Sequence, residues 1–86
     1  MGFAMFQDVI LTVDLPQQGL CAGDVGTVVD HHVVSGSEDG YSVEFFDMTG
    51  DTVAVVTVGQ SNLRGPSATD RPAVRALTGT RRQPKN

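Results

Sequence analysis

Short runs of β-branched and apolar residues, separated by glycine, proline and acidic residues, are the feature that most constrains this chain. They cover residues 8–13, 26–34, 41–45 and 51–58. β-branched side chains fit the pleated surface of a sheet better than they fit a helix. Regularly spaced short strands divided by turn residues are typical of a small barrel or sandwich. Because the chain has only 86 residues, it can bury one small core, and the pattern predicts a single all-β domain.

The connections between these runs predict the strand order of an SH3-like barrel. A long first loop is followed by two short turns, and a helical turn precedes a short fifth strand: residues 15–24, 35–40, 47–50 and 59–64. Glycine adopts positive φ without steric cost, so Gly23 and Gly50 are expected there, with Asp24 accepting hydrogen bonds from nearby backbone amides. We therefore predict a five-stranded SH3-like barrel over residues 6–65, whereas residues 1–4 carry no pattern.

Alternation within the runs predicts which side chains face the core. Residues 41–45 alternate between apolar and polar, which places three apolar side chains inside: Tyr41, Val43 and Phe45. Phe46 must then point outward, where it either forms a contact patch or lies under the tail or the first loop. Leu20 is expected to fill the core from that first loop. The almost continuous apolar run 53–58 predicts burial on both faces, in the core or against a partner.

Charge is divided unevenly along the chain. All six basic residues lie at or after position 64, whereas nine of the ten acidic residues lie before it. Residues 1–63 therefore carry −9 and residues 64–86 carry +5, since six basic residues there face one acidic residue. One interpretation is that the acidic side chains only keep a small barrel soluble. The other is that an acidic face meets a basic partner, or the chain's own basic tail.

The tail, residues 66–86, differs in composition from the rest of the chain. It holds few apolar residues and several breakers of helix and strand, so it cannot build a second core and is expected to be mostly disordered. A short helix over residues 73–77 is the alternative, with Asp70 at its N-cap and Pro72 near its first position. Contacts from the tail are assigned to its arginines: Arg71, Arg75, Arg81 and Arg82.

Nucleic acid is an unfavourable partner for the barrel. Binding to a phosphate backbone requires Lys or Arg side chains that displace counterions, and no such residue precedes Arg64. The tail, which adds Lys85 to its arginines, offers a nonspecific alternative, but it has no aromatic side chain on which bases could stack.

The residue types that perform catalysis or bind metals are present, but not in suitable patterns. His31 and His32 are adjacent on a strand, so they point to opposite faces and cannot bind one ion together; an ion shared between chains of an oligomer stays open. The acidic pairs lie in turns and lack the spacing of a calcium-binding loop. Catalysis by paired carboxylates also needs a pocket, which a small barrel seldom encloses. Cys21 has no cysteine or basic residue beside it, which favours a small buried hydrophobe over a nucleophile. We predict no enzymatic activity, no cofactor and no metal.

Targeting and membrane signals are not visible in the sequence. The first residues carry neither a basic side chain nor the apolar core of a signal peptide, and no apolar run approaches the roughly 18 residues that span a bilayer. A single cysteine excludes an internal disulfide. These features predict a cytoplasmic location.

Two stretches carry a resemblance to a known family. DVILTVDLPQQGLCAGDVGTVV, residues 8–29, and YSVEFFDMTGDTVAVVTV, residues 41–58, resemble a family of small bacterial domains catalogued as a domain of unknown function. The resemblance runs from Phe6 to Arg64 and implies an SH3-like barrel. The segment GDVGTV within it is also similar to the turn of ribosome-associated KOW modules and of nitrile-hydratase-type barrels. Some members of the family are encoded beside toxin-like genes, which implies an antitoxin or immunity role.

Charge and resemblance together predict a non-enzymatic protein-interaction module. Its partner would present a basic surface, and in the antitoxin version the barrel would block a nucleic-acid-cleaving protein by mimicking phosphate charge. The residues expected to bind the partner are seven acids and one apolar anchor: Asp24, Asp30, Glu38, Asp39, Glu44, Asp47, Asp51 and Phe46. A homo-oligomeric structural or accessory subunit, similar to the nitrile-hydratase-type barrel, is the alternative. Nucleic-acid binding through the tail is a third.

Overall fold

Five antiparallel strands form one curled sheet in the computed structural model, which describes residues 2–76. The strands are β1 Asp8–Leu11, β2 Val25–His32, β3 Gly40–Phe46, β4 Thr52–Gly59 and β5 Leu63–Arg64. Two 3-10 turns, Pro16–Gln18 and Gln60–Asn62, lie in the first loop and before β5. The described part of the chain contains no α-helix, and so none long and apolar enough to cross a membrane.

The strands lie in the order β4-β3-β2-β1-β5, so the short last strand pairs with the first. Leu11 lies opposite Leu63 across that pair. The sheet curls into a half-barrel, which confirms the prediction of an all-β, SH3-like architecture. The helical turn and the short fifth strand predicted for residues 59–64 are confirmed as well.

Strand β2 ends at His32, two residues before its predicted end. Its neighbour β3 begins at Gly40, which lies directly opposite His32. Val33 and Val34 therefore extend past the ladder, and Val33 is 78% exposed. Strand β2 ends at the residue opposite the start of β3, because its backbone groups beyond that point have no ladder hydrogen bonds to gain.

The core lies on one face of the curled sheet and contains the side chains predicted to point inward. Tyr41 and Val43 are fully buried, and Phe45 is 2% exposed. Leu20 is buried from the first loop, as predicted, because Leu15 and Leu20 exchange two backbone hydrogen bonds of 2.9 and 3.1 Å that fold the loop back. The rest of the buried cluster consists of Val9, Leu11, Val28, Val58 and Leu63.

Strand β4 departs from the prediction of two-sided burial for residues 53–58. Val58 is buried, but Val55 is 56% exposed, so the strand buries one face instead of two. The cause is that the described residues form one curled sheet, so no second layer covers the outer face of β4 there. Burial of that face against a partner stays a prediction.

Two glycines adopt the left-handed backbone that their turns require. Gly23 has φ +98° and Gly50 has φ +93°, as predicted. Asp24 accepts a hydrogen bond from the Cys21 amide at 2.9 Å, which confirms the role predicted for that carboxylate. Cys21 itself is only partly buried, so the prediction of a small buried hydrophobe is met only in part, because the residue lies in an open loop between Leu20 and the turn.

The described part of the tail is irregular. Residues 71–76 form neither helix nor strand, so the helix predicted over 73–77 is wrong for the residues that the structure describes. The carboxylate of Asp70 does not cap a helix but accepts hydrogen bonds from Arg64 at 2.8 and 2.9 Å and from the Ser67 amide at 2.6 Å. Without that cap, so short a helix is not stable. The predicted contacts of Arg81, Arg82 and Lys85 lie outside the described residues, as does Leu77.

Candidate protein-interaction surface

The acidic residues predicted to bind a partner lie at two opposite ends of the sheet. The register places Gly26 opposite Phe45 and His32 opposite Gly40, so the start of β2 lies beside the end of β3, and the reverse holds at the other end. We call these the Asp24 end and the histidine end. The Asp24 end holds Asp24, Phe46, Asp47 and Asp51, the histidine end holds Asp30, Glu38 and Asp39, and Glu44 lies within β3.

Carboxylates at the histidine end bind neighbouring groups of the chain. Asp39 contacts the His31 ring nitrogen at 2.7 Å, and Asp30 accepts a hydrogen bond from the His31 backbone amide at 2.9 Å. Glu38 accepts hydrogen bonds from the amide and hydroxyl of Ser61 at 2.8 and 3.1 Å. These acids therefore position the loop before β3 in addition to contributing negative charge.

The two histidines point to opposite faces of β2, as predicted. The ring of His31 stacks on that of Tyr41, with centroids 4.6 Å apart and planes 4° apart. A ring nitrogen of His32 hydrogen-bonds the Ser42 hydroxyl at 2.9 Å on the other face. Within residues 2–76, no group of three or more His, Cys, Asp or Glu side chains is placed to hold a metal ion.

A groove of about 390 Å³ lies at the Asp24 end, between the first loop and the β3–β4 turn. Leu20, Phe46 and Met48 contribute apolar wall, and Asp24 contributes an acidic group. Phe46 is 46% exposed, so its predicted outward orientation is confirmed. Tail residues 71–75 line the same groove, but they do not cover Phe46, so the alternative in which Phe46 lies under the tail is not met.

Arg75 of the tail pairs with Asp24 in this groove. Its Nη2 donates to Asp24 Oδ2 at 2.6 Å and its Nε donates to Oδ1 at 3.1 Å. The same Nη2 donates to the Gly19 carbonyl at 3.2 Å. Two parallel hydrogen bonds between a guanidinium and a carboxylate are a strong and directional arrangement. The basic tail therefore does meet its own acidic body.

The surroundings of Asp24 favour its ionised form. Burial acts to raise the pKa of the carboxyl, but the hydrogen bonds from Arg75 and the Cys21 amide, with the charge of Arg75, outweigh burial and lower the pKa. The guanidinium stays protonated in proteins, so both partners of the pair are charged at neutral pH.

Asp47 and Glu44 are held by hydrogen bonds within the β3–β4 hairpin. Asp47 accepts hydrogen bonds from the Thr49 hydroxyl and amide at 2.7 and 2.9 Å, and from the Asp51 amide at 3.0 Å. These bonds lower the pKa of Asp47, with the Thr49 hydroxyl as the largest cause. Glu44 accepts a hydrogen bond from the Thr52 hydroxyl. Both acids therefore stabilise the hairpin in addition to contributing negative charge.

Arg64, at the end of β5, and Arg71 hydrogen-bond residues between 65 and 70 and not the acidic residues of the body. Arg64 forms two hydrogen bonds with Asp70. Arg71 donates to the carbonyls of Ala68 and Asp70 at 3.1 and 3.0 Å. Among the arginines of residues 2–76, Arg75 is thus the one that hydrogen-bonds an acidic residue of the body.

Gly19 and Asp14 complete the surroundings of Arg75, although the sequence did not assign them to a site. Gly19 has φ +73° at the end of the first 3-10 turn, and its carbonyl accepts from Arg75. Asp14 accepts a hydrogen bond from the Ala22 amide at 2.9 Å. Hydrogen bonding to Asp24 is the main cause that raises the pKa of Arg75, and the charges of Asp24 and Asp14 add to it. A glycine three residues after a proline predicts a turn, but it does not predict which group the turn's carbonyl binds.

Fold and surface together define a small, curled all-β domain whose charged side chains are almost all acidic. The family model described as "Domain of unknown function (DUF4926)" matches residues 5–65. The chain therefore belongs to the DUF4926 family, which confirms the family resemblance in the sequence. No curated protein and no solved structure was found to match it. The matched residues contain all five strands, whereas Arg75 lies beyond them.

Proposed function

We propose that this domain is a protein-interaction module whose acidic surface binds a positively charged protein. The observation that carries the proposal is the charge distribution, because residues 1–63 carry nine acidic side chains and no lysine or arginine. Such a surface attracts cationic partners and repels polyanions. The Asp24 carboxylate supports a partner that presents arginine, since it already holds the guanidinium of Arg75.

The Asp24 end supplies an apolar anchor beside the charge. Electrostatic attraction mainly accelerates association and selects the partner, whereas binding energy comes chiefly from a few side chains buried at the centre of an interface. Phe46, Met48 and Val25 are 46%, 86% and 55% exposed beside Asp24. A partner that places an arginine on Asp24 would cover these side chains at the same time.

An antitoxin or immunity protein is the finer form of the proposal. A protein that cleaves nucleic acid needs a basic surface for the phosphate backbone. An acid-rich domain can cover that surface by taking the place of the phosphates. Support for this form comes from the charge of the body and from the toxin-like neighbours implied by the family resemblance.

Co-expression of the full chain with the product of the adjacent gene, followed by affinity purification at low salt, tests the proposal. The expected result is a complex whose affinity falls as salt is added, because ions screen the attraction between exposed charges. Failure to form a complex at low salt would contradict the proposal.

Two charge-matched variants locate the contact. Each neutralises three acids and so changes the net charge from −4 to −1, one near the Asp24 end and one at the histidine end. The first set is Asp24→Asn, Glu44→Gln and Asp51→Asn, and the second is Asp30→Asn, Glu38→Gln and Asp39→Asn. We expect the first set to weaken the complex more, because it removes a direct contact as well as charge. Equal weakening would contradict a contact at the Asp24 end.

The edge strand β4 favours a second candidate, self-association. This strand has eight residues and no charged side chain, and Val55 is exposed on it. Uncharged edge strands pair readily with other strands. Light scattering should then show a dimer or larger assembly that Val55→Lys reduces to a monomer, while Val33→Lys, outside the strand, leaves the mass unchanged. A wild-type monomer at all accessible concentrations would contradict this candidate.

A further inference from the structure

We infer that the Asp24 carboxylate and the Gly19 carbonyl, at the Asp24 end, form a binding site for an arginine side chain, and that Arg75 occupies this site as an internal competitor of a partner's arginine. The competition rests on the proposed function, because only a basic partner would displace Arg75. The arginine site itself does not, because it is defined by groups within this chain.

The acceptors around Arg75 are held in place by the body of the domain. The Cys21 amide donates to Asp24 Oδ2 at 2.9 Å and fixes that carboxylate in the turn. The Gly19 carbonyl belongs to a turn that is closed by a hydrogen bond from the Gly19 amide to the Pro16 carbonyl at 3.1 Å. Neither hydrogen bond involves the tail, so the acceptors are organised before an arginine arrives, which lowers the cost of binding.

The arrangement suits a guanidinium better than an ammonium group. Nε and Nη2 of Arg75 reach the two oxygens of Asp24, and Nη2 also reaches the Gly19 carbonyl. A guanidinium presents these donors in one rigid plane, whereas a lysine amine is a point charge on a flexible stem. The site is therefore expected to prefer arginine to lysine.

The tail segment that delivers Arg75 is weakly held. The Arg75 side chain is 36% exposed, Val74 is 80% exposed, and residues 71–76 form no regular structure. Within that described segment, the polar contacts to the body come from Arg75 alone. A single, partly exposed ion pair holds such a segment only weakly, despite its good geometry, because ordering the side chains offsets much of the attraction, so an arginine supplied by another protein can replace Arg75.

A fluorophore-labelled peptide with the sequence of residues 70–76 provides the arginine-bearing probe. Its binding at low salt is measured by fluorescence anisotropy with full-length wild type, Arg75→Ala, Arg71→Ala, and the double variant Arg75→Ala with Asp24→Asn. Arg71→Ala is the matched control, because it removes the same charge without vacating Asp24. Asparagine at position 24 retains an acceptor for the Cys21 amide, and circular dichroism verifies that the double variant folds.

We expect Arg75→Ala to bind the peptide about five- to tenfold more tightly than wild type, the gain when an internal ligand fills a site for about 80–90% of the time. Arg71→Ala is expected to bind like wild type. The double variant is expected to lose the gain, and a peptide with lysine in place of its second arginine is expected to bind more weakly to Arg75→Ala.

Equal affinities of Arg75→Ala and Arg71→Ala, or a gain that survives Asp24→Asn, would overturn the inference. The peptide measurement does not depend on a natural partner. Peptide binding at Asp24 without any complex between the chain and a basic protein would retain the arginine site and remove the proposed function. A complex with a basic protein whose affinity is the same for Arg75→Ala and Arg71→Ala would retain the proposed function and remove the internal competitor.

Discussion

The hydroxyl oxygen of Tyr41 accepts a hydrogen bond from the backbone amide of Phe3 at 3.0 Å, and the Phe3 ring packs edge-on against the Tyr41 ring with centroids 5.4 Å apart. Tyr41 is fully buried in β3. This pair connects the start of the described chain to the core, although residues 1–4 carry no pattern in the sequence. Phe3 is therefore part of the packed domain.

Tyr41→Phe tests this connection. We expect the free energy of unfolding to fall by about 1 kcal/mol, because the substitution removes one partly buried hydrogen bond and leaves the Phe3 amide without its acceptor. Urea unfolding monitored by circular dichroism measures the change. Phe3→Leu, which retains the backbone amide, separates the ring contact from the hydrogen bond. An unchanged free energy for Tyr41→Phe would show that the hydrogen bond contributes nothing in solution.

Gly26 packs too closely against β3 to carry a side chain. A methyl group there would lie 2.5 Å from the Val43 side chain and 2.9 Å from both the Glu44 carbonyl oxygen and the Phe45 ring. We expect Gly26→Ala to lower the free energy of unfolding by about 1–3 kcal/mol, the usual cost of overpacking, in thermal or urea unfolding. Gly40→Ala is the control, because its nearest neighbour would be 3.7 Å away. Comparable losses in the two variants would contradict the packing described for Gly26.

Val28 and Val33 allow the same substitution in two environments. Val28 is fully buried, whereas Val33 is 78% exposed. Val28→Ala is expected to lower the free energy of unfolding by about 2 kcal/mol, because buried apolar contact is lost and a cavity forms. Val33→Ala is expected to change it by less than about 0.5 kcal/mol. Chemical denaturation of both variants measures the difference, and similar losses would mean that the core is assigned to the wrong face.

Asp47 makes stability depend on pH in the acidic range. The Thr49 hydroxyl, followed by backbone hydrogen bonds from Asp51 and Thr49, lowers its pKa in the folded state, whereas an unfolded aspartate has a pKa of about 3.9. The folded chain thus binds fewer protons, so this contribution is complete above that pH and is lost as pH falls through the folded pKa.

Asp47→Asn is therefore expected to flatten the decline in the free energy of unfolding below about pH 4. Urea unfolding across that range measures the slope. Thr49→Ala retains the carboxylate but removes its strongest donor, and we expect it to fall between wild type and Asp47→Asn. A slope identical to wild type in Asp47→Asn would contradict the lowered pKa of this carboxyl.

Local rules were sufficient to predict much of the fold. The period of two from Tyr41 to Phe45 set the inward face of β3, and the outward direction of Phe46 followed from it. Gly23 and Gly50 marked turns because their conformation depends on the glycine itself. The short fifth strand was also predictable from local sequence, because residues that break strands lie on both sides of it.

Features that depend on distant neighbours could not be predicted. The apolar run 53–58 is compatible with burial on one face or on both, and Val55 is exposed because the structure has one sheet with no second layer over that face. Asp70 is a residue type that often caps a helix, but its carboxylate accepts hydrogen bonds from Arg64 instead. The contact between Arg75 and Asp24 joins residues 51 positions apart. In sequence, Arg75 does not differ from the other arginines of the tail, and only the folded first loop distinguishes it.

The position at which an arginine binds is the most direct test of the central claim, that an acid-rich body recognises cationic segments at the Asp24 end. The measurement is a nitrogen-15 NMR titration of full-length Arg75→Ala with the peptide of residues 70–76. We predict saturable chemical-shift changes that diminish as salt is added, for the amides of Gly19, Cys21, Asp24 and Met48, and none at the histidine end. In a parallel titration with duplex DNA, we predict no shift changes over residues 2–64. Shifts centred on Asp30 and Asp39, or binding of DNA by that body, would contradict the claim.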